Sequence, residues 1–274
     1  MPELPEVQAV VDGLRHVLPG RRIVSVHVRR ADVCRPSGAA VRRLLTGARV
    51  TEVFRRAKNI VAPTDAGVVL RVHLGMTGRL LFYPGTSGRP GHTAVTFRLD
   101  GGATLVYADV RRFGRVEALE EATWEGRSQA LGPEPLDPAL GAAEFHRRLA
   151  TSRTPVRSWL LDPRRVAGVG NIYATEALFG ARIHPTRPAA SLTRAEAGRL
   201  LREVRRALDS GIRAGGTTLR DYRNIDGQEG ENARNLRAYG REGSACPRCG
   251  APIERLVFGG RSAFLCPRCQ PAPP

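Results

Sequence analysis

Four cysteines near the end of the chain have the residue type and the spacing of a metal site. Cys246 and Cys249 form one Cys-x2-Cys pair, sixteen residues follow, and Cys266 and Cys269 form a second pair. Each pair can offer two thiolates to one ion, so the pattern predicts a single tetrahedral zinc. Because all four ligands are thiolates, no position remains for a reacting water, and the predicted ion is structural. Disulfides are the alternative interpretation, which a cytoplasmic protein disfavours.

The segment between the two cysteine pairs, ERLVFGGRSAFL, has the pattern of two short strands joined by Gly259 and Gly260. Two consecutive glycines suit a two-residue hairpin turn. Arg261 follows at the tip, where it either contacts a phosphate or a groove or is simply solvated. Cys34 lies outside the zinc pattern, and we interpret it as a small core or surface residue.

A glycine-containing turn before a predicted helix is a second candidate site. Gly168 and Gly170 precede Asn171, at which a new helix is expected to begin, and Arg164 and Arg165 lie just upstream. Asparagine is a good helix N-cap, and glycines let a polyanion approach the N–H groups of the first turn. The segment therefore predicts an anion site, although glycine turns are also common without one.

The charge of the chain indicates a polyanionic partner. The formal net charge is +17 and the isoelectric point is near 11.2. Nucleic acid is the first expectation for such a surplus and an anionic membrane the second. Lys58 is the only lysine, and every other basic residue apart from histidine is arginine. Lysine is a compact ammonium that can lose its proton, so its isolated use is either accidental or functional.

The membrane alternative finds no support in the sequence. No apolar stretch is long enough to cross a bilayer, and the first ten residues lack the basic and apolar regions of a secretory signal. The basic residues are also spread along the chain instead of lying on one amphipathic helix. We therefore expect a cytoplasmic protein, associated with the bacterial nucleoid, that does not bind membranes.

The elements of the first part of the chain are predicted to be one helix followed by antiparallel strands. Residues 5–18 carry apolar residues at helical spacing and end at Pro19-Gly20. Residues 21–30 alternate, which predicts a strand with Val24, Val26 and Val28 on one face. Residues 66–74 and 93–109 predict further strands, and the second of these ranges predicts a hairpin. This order suggests a sandwich or a barrel.

The pattern changes to helical after a proline-containing stretch. Residues 120–138 include Pro133, Pro135 and Pro138, which predicts an interdomain linker. The clearest later helix covers residues 191–216, with Thr193 and Glu196 as a capping box and an apolar stripe that ends at Gly215-Gly216.

Several dispersed stretches of the sequence together resemble one protein family. They are MPELPEV at the start, RRAKN around Lys58, HLGMTGRL at 73–80, DVRRFG at 109–114, AGVGNIYATEALF at 167–179, GGTTLRDY at 215–222, AYGREG at 238–243, and the four-cysteine hairpin. The chain resembles the formamidopyrimidine-DNA glycosylase family, the Fpg/Nei group of bacterial base-excision enzymes. HLGMTG, DVRRFG and GGTTL favour the branch that acts on oxidised purines over the Nei branch, which acts on oxidised pyrimidines.

The resemblance implies an α+β fold in three parts. These are an N-terminal helix plus β-sandwich at residues 1–130, a helix–two-turn–helix DNA-binding domain at 131–235, and a four-cysteine zinc finger at 236–274. It also implies a monomer whose partner is double-stranded DNA with oxidised bases or abasic sites. One structural zinc is expected, and catalysis itself is expected to need no metal or organic cofactor.

The resemblance also implies the chemistry. A damaged base is flipped out, the amine of a processed N-terminal Pro2 attacks C1′ of its sugar, and the strand is cut by β- and δ-elimination. An α-amino group titrates far below a lysine, so a useful fraction of this secondary amine is neutral at neutral pH. Glu3 resembles the catalytic carboxylate, whose alternative role is helix capping alone. Lys58 and Arg261 complete the catalytic set that the resemblance implies.

Further residues match DNA-binding positions of the family. Phosphate contacts are implied for one group of these residues. For a second group, the resemblance implies that the side chains fill the void that a flipped base leaves in the duplex. The supporting carboxylate Glu6 is grouped with them. The first group is His73, Asn171 and Tyr239, and the second is Met76, Arg111 and Phe113. Arg220 is a further DNA-binding position that the resemblance implies.

The chain departs from the family pattern at three places, and the first two bear on base recognition and so on substrate range. Arg220 stands where many relatives have lysine, and Glu231-Asn232 occupies positions that are often aromatic in the loop that caps the flipped base. Asn59, which follows Lys58, is more polar than usual. A Nei-like preference for oxidised pyrimidines is therefore one alternative. A non-catalytic zinc protein that binds damaged DNA is another, and an RNA-binding or ribosome-associated zinc protein is the third.

Overall fold

The computed structural model describes residues 2–85 and 90–272, which form two compact units. The first unit holds the described residues up to Ala130 together with Gly211–Ala233. The second holds Leu131–Ser210 and the described residues from Arg234 onward. The chain therefore leaves the first unit once and returns to it for a short segment before the cysteine-containing end.

The described residues of the first unit form two sheets and three α-helices. One sheet has the strand order β1-β7-β8-β6, and the other has the order β2-β9-β5-β4-β3, in which only the β2–β9 pair is parallel. In chain order the elements are α1 (Leu4–Arg15), β1 (Ile23–Val28), β2 (Cys34–Arg35), α2 (Gly38–Leu45), β3 (Phe54–Arg56), β4 (Asn59–Pro63), β5 (Val68–His73), β6 (Gly78–Tyr83), β7 (Thr93–Leu99), β8 (Thr104–Asp109), β9 (Arg115–Glu120) and α3 (Glu121–Gln129).

One apolar core joins both sheets to the first helix. Phe97 of the four-stranded sheet, Val72 of the five-stranded sheet and Leu14 of α1 belong to the same buried cluster. The i, i+3, i+4 spacing of the valines in α1 directs them all into this core. The α+β class and the helix-plus-sandwich architecture are therefore confirmed.

The predicted orientation of β1 is wrong at its start. Val26 is buried, but Val24 is 54% exposed and does not share its face. The pairing of β1 with β7 shifts between Ile23 and Ser25, because a bulge places one extra residue there. A bulge moves the following side chains to the opposite face, which simple alternation cannot predict.

A helix lies within the stretch that was predicted to be a linker. Residues 121–129 form α3, and its Trp124 is buried against Val61, Val69 and Leu119 of the five-stranded sheet. Packing of this single aromatic residue accounts for a helix whose own sequence has little amphipathic pattern. The three prolines follow the helix and lie in turns or irregular backbone.

The second unit is helical and ends in a two-stranded hairpin. Thr193 and Glu196 form the predicted capping box at the start of its longest helix, with a Glu196 N–H to Thr193 Oγ1 distance of 3.2 Å. None of the helices in the described part of the chain has the length and apolar character of a bilayer span. The elements are α4 (Ala142–Ala150), α5 (Val156–Leu161), α6 (Asn171–Ala181), α7 (Arg194–Arg213), β10 (Glu254–Phe258) and β11 (Arg261–Leu265).

Candidate active site and nucleic-acid interface

The amino-terminal end of α1 holds the predicted nucleophile and the predicted catalytic carboxylate. Pro2 is buried, and Glu3 is only 2% exposed. The Glu3 N–H donates to Glu6 Oε2 at 2.7 Å, which ties the residue before the helix to its first turn. The helix dipole favours both carboxylates at this end. Glu3 and Glu6 therefore lie together beside Pro2 at the start of α1.

Glu6 fastens a distant loop to the same place. Its Oε1 accepts the backbone N–H of Thr217 at 2.7 Å, and its carbonyl accepts the Tyr222 hydroxyl at 3.1 Å. Gly216 has φ of +96°, and a Cβ on it would lie 3.0 Å from Glu6 Cγ, so this close approach requires glycine. Both carboxylate oxygens of Glu6 therefore bind backbone amides, which is a positioning role within the first unit.

Lys58 lies in the two-residue turn between β3 and β4, beside Ala57 with its positive φ of 54°. The helix α1 packs against both strands of this hairpin, and Arg55 Nε donates to Gln8 Oε1 at 2.8 Å. The elements that carry Glu3 and Lys58 are thus in direct contact. The fold brings these two predicted residues to one region of the first unit.

The polar residue after Lys58 has a structural partner. Asn59 is 5% exposed, and its Oδ1 accepts from Arg71 Nε at 3.0 Å and from Arg71 Nη2 at 2.7 Å. Arg71 also forms an ion pair with the buried Glu117. The departure at Asn59 is therefore explained by a half-buried arginine on the neighbouring strand, to which Asn59 is the hydrogen-bond acceptor.

His73 lies opposite Asn59 at the end of β5. Burial and the nearby charges of Arg71 and Lys58 lower its pKa to about 4, so the ring is neutral at neutral pH. The Gly75 N–H donates to His73 Nδ1 at 3.1 Å, which assigns the remaining ring proton to Nε2. A neutral imidazole with a defined Nε2–H can donate one hydrogen bond to a phosphate oxygen.

The three predicted void-filling residues extend from two loops of the first unit. Met76 lies between β5 and β6, and Arg111 and Phe113 lie between β8 and β9. Met76 is 38% exposed and Phe113 is 55% exposed, whereas apolar side chains of this size are usually buried. The Arg111 guanidinium stacks over the Phe113 ring at 4.7 Å. All three side chains are therefore available at the surface and not part of the core.

The loop predicted to cap a flipped base belongs to the first unit. Arg220 and Glu231 are exposed in it, but Asn232 is 2% exposed. Asn232 Nδ2 donates to Thr217 Oγ1 at 2.8 Å, which places Asn232 in the internal hydrogen bonding of the loop. Of the two departures in this dipeptide, only Glu231 presents its side chain to solvent.

The start of α6 in the second unit differs from its predicted capping. The N-cap is Gly170, and Asn171 is the first residue of the helix. The Asn171 side chain is used elsewhere, because its Oδ1 accepts from Arg157 Nη2 at 2.7 Å and its Nδ2 donates to the Ser262 carbonyl at 2.9 Å. The prediction of an asparagine cap is therefore wrong, although the helix does begin where expected.

Arg157 fastens the hairpin tip to this helix. It is 1% exposed, donates to the Ser262 carbonyl at 3.0 Å, and stacks over the Phe258 ring at 4.7 Å. Gly259 and Gly260 both have positive φ and form the predicted turn between β10 and β11. Burial and the charge of Arg261 lower the pKa of Arg157. The predicted residues Asn171 and Arg261 are thereby brought together around a buried guanidinium.

Tyr239 is held in the same unit by a buried carboxylate. Glu176, in the middle of α6, accepts the N–H groups of Ala238 and Tyr239 through Oε1 at 2.9 and 2.8 Å. Its Oε2 accepts the N–H of Arg237 at 3.0 Å. The Tyr239 ring packs edge-on against Phe264 of β11 at 5.2 Å.

The four predicted zinc ligands converge in the second unit. Their Sγ atoms all lie within 4.8 Å of one another, at 3.4 Å for Cys249–Cys266 and 4.0 Å for Cys246–Cys269. Four thiolates that bind one zinc at about 2.3 Å are separated by about 3.8 Å. The cluster therefore has the dimensions of a single tetrahedral zinc site, and the prediction of one structural zinc is confirmed.

Comparisons with known proteins agree with this arrangement along the whole chain. Family models match as the formamidopyrimidine-DNA glycosylase N-terminal domain at residues 1–116, its H2TH domain at 131–223, and a zinc finger found in FPG and IleRS at 243–272. The formamidopyrimidine-DNA glycosylase of Rhizorhabdus wittichii is 46% identical over 98% of this chain and 100% of its own length.

The chain belongs to the formamidopyrimidine-DNA glycosylase family. The crystal structure of the MutM (Fpg) protein of Thermus thermophilus is 42% identical, with a TM-score of 0.89 and full coverage of both chains. The Fpg of Lactococcus lactis in complex with abasic-site DNA is 29% identical, with a TM-score of 0.91 over 99% of this chain and 100% of the other. The predicted family resemblance is therefore confirmed.

Two residues that organise this glycosylase-family fold were missed by sequence reasoning. Arg157 resembles any other arginine of a basic chain, and its partner Ser262 lies 105 residues away. Glu176 did offer a signal, because it is the only charged residue of α6, which is otherwise apolar or neutral. A lone carboxylate in a buried helix needs donors, and here they are three backbone N–H groups.

Proposed function

We propose that this protein is a bifunctional glycosylase and lyase of base-excision repair that removes oxidised purines from double-stranded DNA. The observation that carries the proposal is the buried Pro2-Glu3 segment at the start of α1, a helix that packs against the hairpin carrying Lys58. The relatives named formamidopyrimidine-DNA glycosylase, which match over nearly the whole chain, support the activity. Those relatives are bacterial, so we place the activity at the nucleoid in the bacterial cytoplasm.

The proposed reaction begins at the nitrogen of Pro2 after removal of the initiator methionine. The lone pair of this secondary amine forms a bond to C1′ while the bond from C1′ to the base breaks. The departing base takes that electron pair and a proton. Opening of the sugar gives O4′ a proton and leaves an iminium ion between C1′ and the proline nitrogen. Loss of a C2′ proton then expels the 3′ phosphate, and a second elimination expels the 5′ phosphate.

The buried carboxylate and the lysine have distinct proposed roles. Glu3 is in place to hold or deliver the proton that the opening sugar takes, as a general acid. Lys58 is proposed to contact the phosphate of the damaged nucleotide and to assist base release and elimination. Its neighbour His73 would add a neutral hydrogen-bond donor to phosphate, consistent with its lowered pKa of about 4.

The second unit is proposed to bind DNA, and Arg261 is the residue of this unit that belongs to the proposed catalytic set. Asn171 and Arg261 lie together around Arg157, which suits a clamp for phosphates, and the Tyr239 ring packs against the same hairpin. The zinc would hold β10 and β11 through its four thiolates and would supply no chemistry, since no open position remains. We propose a three-part division at residues 130 and 235 and a monomeric enzyme.

The lesion class is proposed from the HLGMTG, DVRRFG and GGTTL stretches and from relatives. A mutant of Lactococcus lactis Fpg forms a complex with Fapy-dG-containing DNA, and a MutM complex contains DNA with a carbocyclic 8-oxo-G. The substrates proposed here are formamidopyrimidines and 8-oxoguanine opposite cytosine. Rates on duplexes with 8-oxoguanine and with thymine glycol, measured side by side, test this. Cleavage of thymine glycol alone would establish the Nei-like alternative.

The nucleophile is tested by blocking its nitrogen without changing any side chain. A short N-terminal extension converts the Pro2 amine to an amide, and the same extension at the C-terminus is the matched control. Borohydride trapping on lesion duplex should be abolished in the first protein and unchanged in the second, with mass spectrometry confirming both termini. Undiminished trapping by the N-terminally extended protein would overturn the assignment of Pro2. A protein that binds lesion DNA but never cleaves or traps it would instead be the non-catalytic binder.

A further inference from the structure

The two loops that carry Met76, Arg111 and Phe113 meet at one buried side chain. Asp109, the last residue of β8, is 2% exposed. Its Oδ1 accepts the Thr77 hydroxyl at 2.6 Å and the Arg111 N–H at 3.2 Å. Its Oδ2 accepts the Gly114 N–H at 2.9 Å and the Tyr107 hydroxyl at 3.0 Å. One carboxyl group therefore binds both loops.

The chemistry of these four bonds suits an aspartate only. An ionised carboxylate is purely an acceptor, and here each oxygen faces two donors. Burial raises the pKa of Tyr107, so its phenol keeps its proton and donates. An asparagine of the same shape would turn one oxygen into an NH2 group, and either orientation would set that group against two donors.

The loop backbones are also in direct contact. Gly75 has φ of +62°, and a Cβ on it would lie 2.5 Å from the Gly114 nitrogen. Thr77 Oγ1 in turn accepts the Arg111 N–H at 3.0 Å, which bridges the loops a second time. Residues 75–77 and 109–114 are thus joined by buried polar contacts. The side chains of Met76, Arg111 and Phe113 are exposed on this joined pair of loops.

We propose that Asp109 is a positioning residue that holds Met76, Arg111 and Phe113 as one preformed set for insertion into DNA. The inference rests on the proposed function, in which these side chains fill the space of a flipped base. Side chains that fill such a void must keep their positions, because the neighbouring base pairs tend to stack again and push them out. Loops already ordered before binding also lose little conformational freedom on insertion. Asp109 acts through the loops and does not itself touch the DNA.

The role predicts a difference between two substrates. A duplex with 8-oxoguanine opposite cytosine requires base flipping and filling of the void. A single-stranded oligonucleotide with one abasic site has no paired strand and no base to remove, yet still offers C1′ to Pro2. Asp109→Asn should slow base excision from the duplex by about tenfold to a hundredfold, since misplacement by about 1 Å can cost that much. Borohydride trapping on the single strand should stay within about twofold of the unsubstituted protein.

Milder and matched variants keep the test decisive if Asp109→Asn folds poorly. Thr77→Val removes the 2.6 Å bond to Asp109 and the acceptor of the Arg111 N–H, so it should show a smaller loss on the duplex alone. Thr96→Val, in the middle of β7 and outside this network, should match the unsubstituted protein on both substrates. Asp109→Asn should also add little to Phe113→Ala, because both remove the same function.

The outcomes separate this inference from the proposed function. If the unsubstituted protein neither excises 8-oxoguanine nor traps on abasic DNA, the proposed function fails. If it does both, and the Asp109 and Thr77 variants lose the two activities equally or lose neither, the positioning role is overturned. The positioning role is supported if the variants lose activity on the duplex alone and if the effects of Asp109→Asn and Phe113→Ala are not additive in the double variant.

Discussion

The two units of the molecule hold their functional side chains by different means. In the first unit buried carboxylates bind backbone N–H groups, as Glu6 does with Glu3 and Thr217 and as Asp109 does with Arg111 and Gly114. In the second unit the buried guanidinium of Arg157 binds side-chain and carbonyl oxygens, and four thiolates are placed around a zinc site. Glu176 is the exception there, since it also binds backbone N–H groups.

This difference indicates whether each unit controls the rate of the reaction or the affinity for DNA. Carboxylates that bind backbone amides fix the path of the chain, and so they fix reacting atoms that lie at a chain terminus and at loop tips. A buried cation surrounded by carbonyls fixes a positive, phosphate-binding surface. We therefore expect changes in the first unit to alter rates and lesion dependence. Changes in the second unit should alter affinity for any DNA.

The strongest test of the comparison is Glu3→Gln, which keeps the shape of the side chain and removes its ionisable carboxyl group. Base excision under single-turnover conditions should slow by about 10²- to 10⁴-fold, the usual contribution of a positioned acid or base. Affinity for a duplex with a stable abasic analogue should change little, because the second unit is untouched. Glu52→Gln, on an exposed residue, is the control. Equal losses of rate and affinity would contradict the separation of roles.

Removal of zinc should have the next largest effect, and it should act on binding. Without the ion the hairpin that carries Arg261 loses its anchor to the four cysteines, so affinity for lesion and undamaged duplex should fall together by about one to two orders of magnitude. The slope of log affinity against log salt concentration should also decrease by about one for each lost contact between an arginine and a phosphate. Titration with a chelator, followed by zinc addition, measures both. A selective loss for lesion DNA would argue against a purely binding role.

A smaller effect of the same kind is expected from Arg157→Met. The substitution leaves the Asn171 and Ser262 oxygens without their charged donor and removes the stacking on Phe258. Affinity for both kinds of duplex should fall by about tenfold, in line with the loss of hydrogen bonds to a charged group. Arg147→Met is the matched control, because Arg147 is exposed and its ion pair with Glu144 on α4 lies at the surface. Similar behaviour of the two variants would show that burial of Arg157 has no special role.

The features that could be predicted from the sequence are those with local causes. Thr193 and Glu196 cap a helix within one turn, the two glycines of the hairpin define their own turn, and each Cys-x2-Cys pair is complete within four residues. The exposed Met76 and Phe113 could be placed on loops because glycine and arginine flank them. Such signals need no knowledge of the rest of the fold.

The features that escaped prediction depend on partners far away in the chain. The bulge at Val24 follows from pairing with β7, about seventy residues later, and the Asn171 side chain is diverted from capping by Arg157 and Ser262. Asp109 appeared only as a letter of a motif, since three of its four donors come from two loops and the fourth, Tyr107, from β8. Long-range pairing of polar groups is decided by the fold, and composition or periodicity cannot supply it.

The smallest expected effect concerns the pH dependence of the first unit. His73 has a pKa of about 4 in the folded protein and an ordinary value of 6.5 when unfolded. Between these values the unfolded chain binds more protons, so the free energy of unfolding must fall as the pH is lowered through this window. Between pH 7 and pH 5.5 the contribution of His73 should be about 1 kcal/mol.

Denaturant unfolding of the unsubstituted protein, His73→Gln and the exposed control His16→Gln at both pH values isolates this contribution. Only His73→Gln should reduce the loss of stability at pH 5.5, because only this variant removes the buried ring. A His73→Gln variant with the same pH dependence as the control would mean that the ring has the same pKa in the folded and the unfolded chain, which would contradict the lowered pKa of His73.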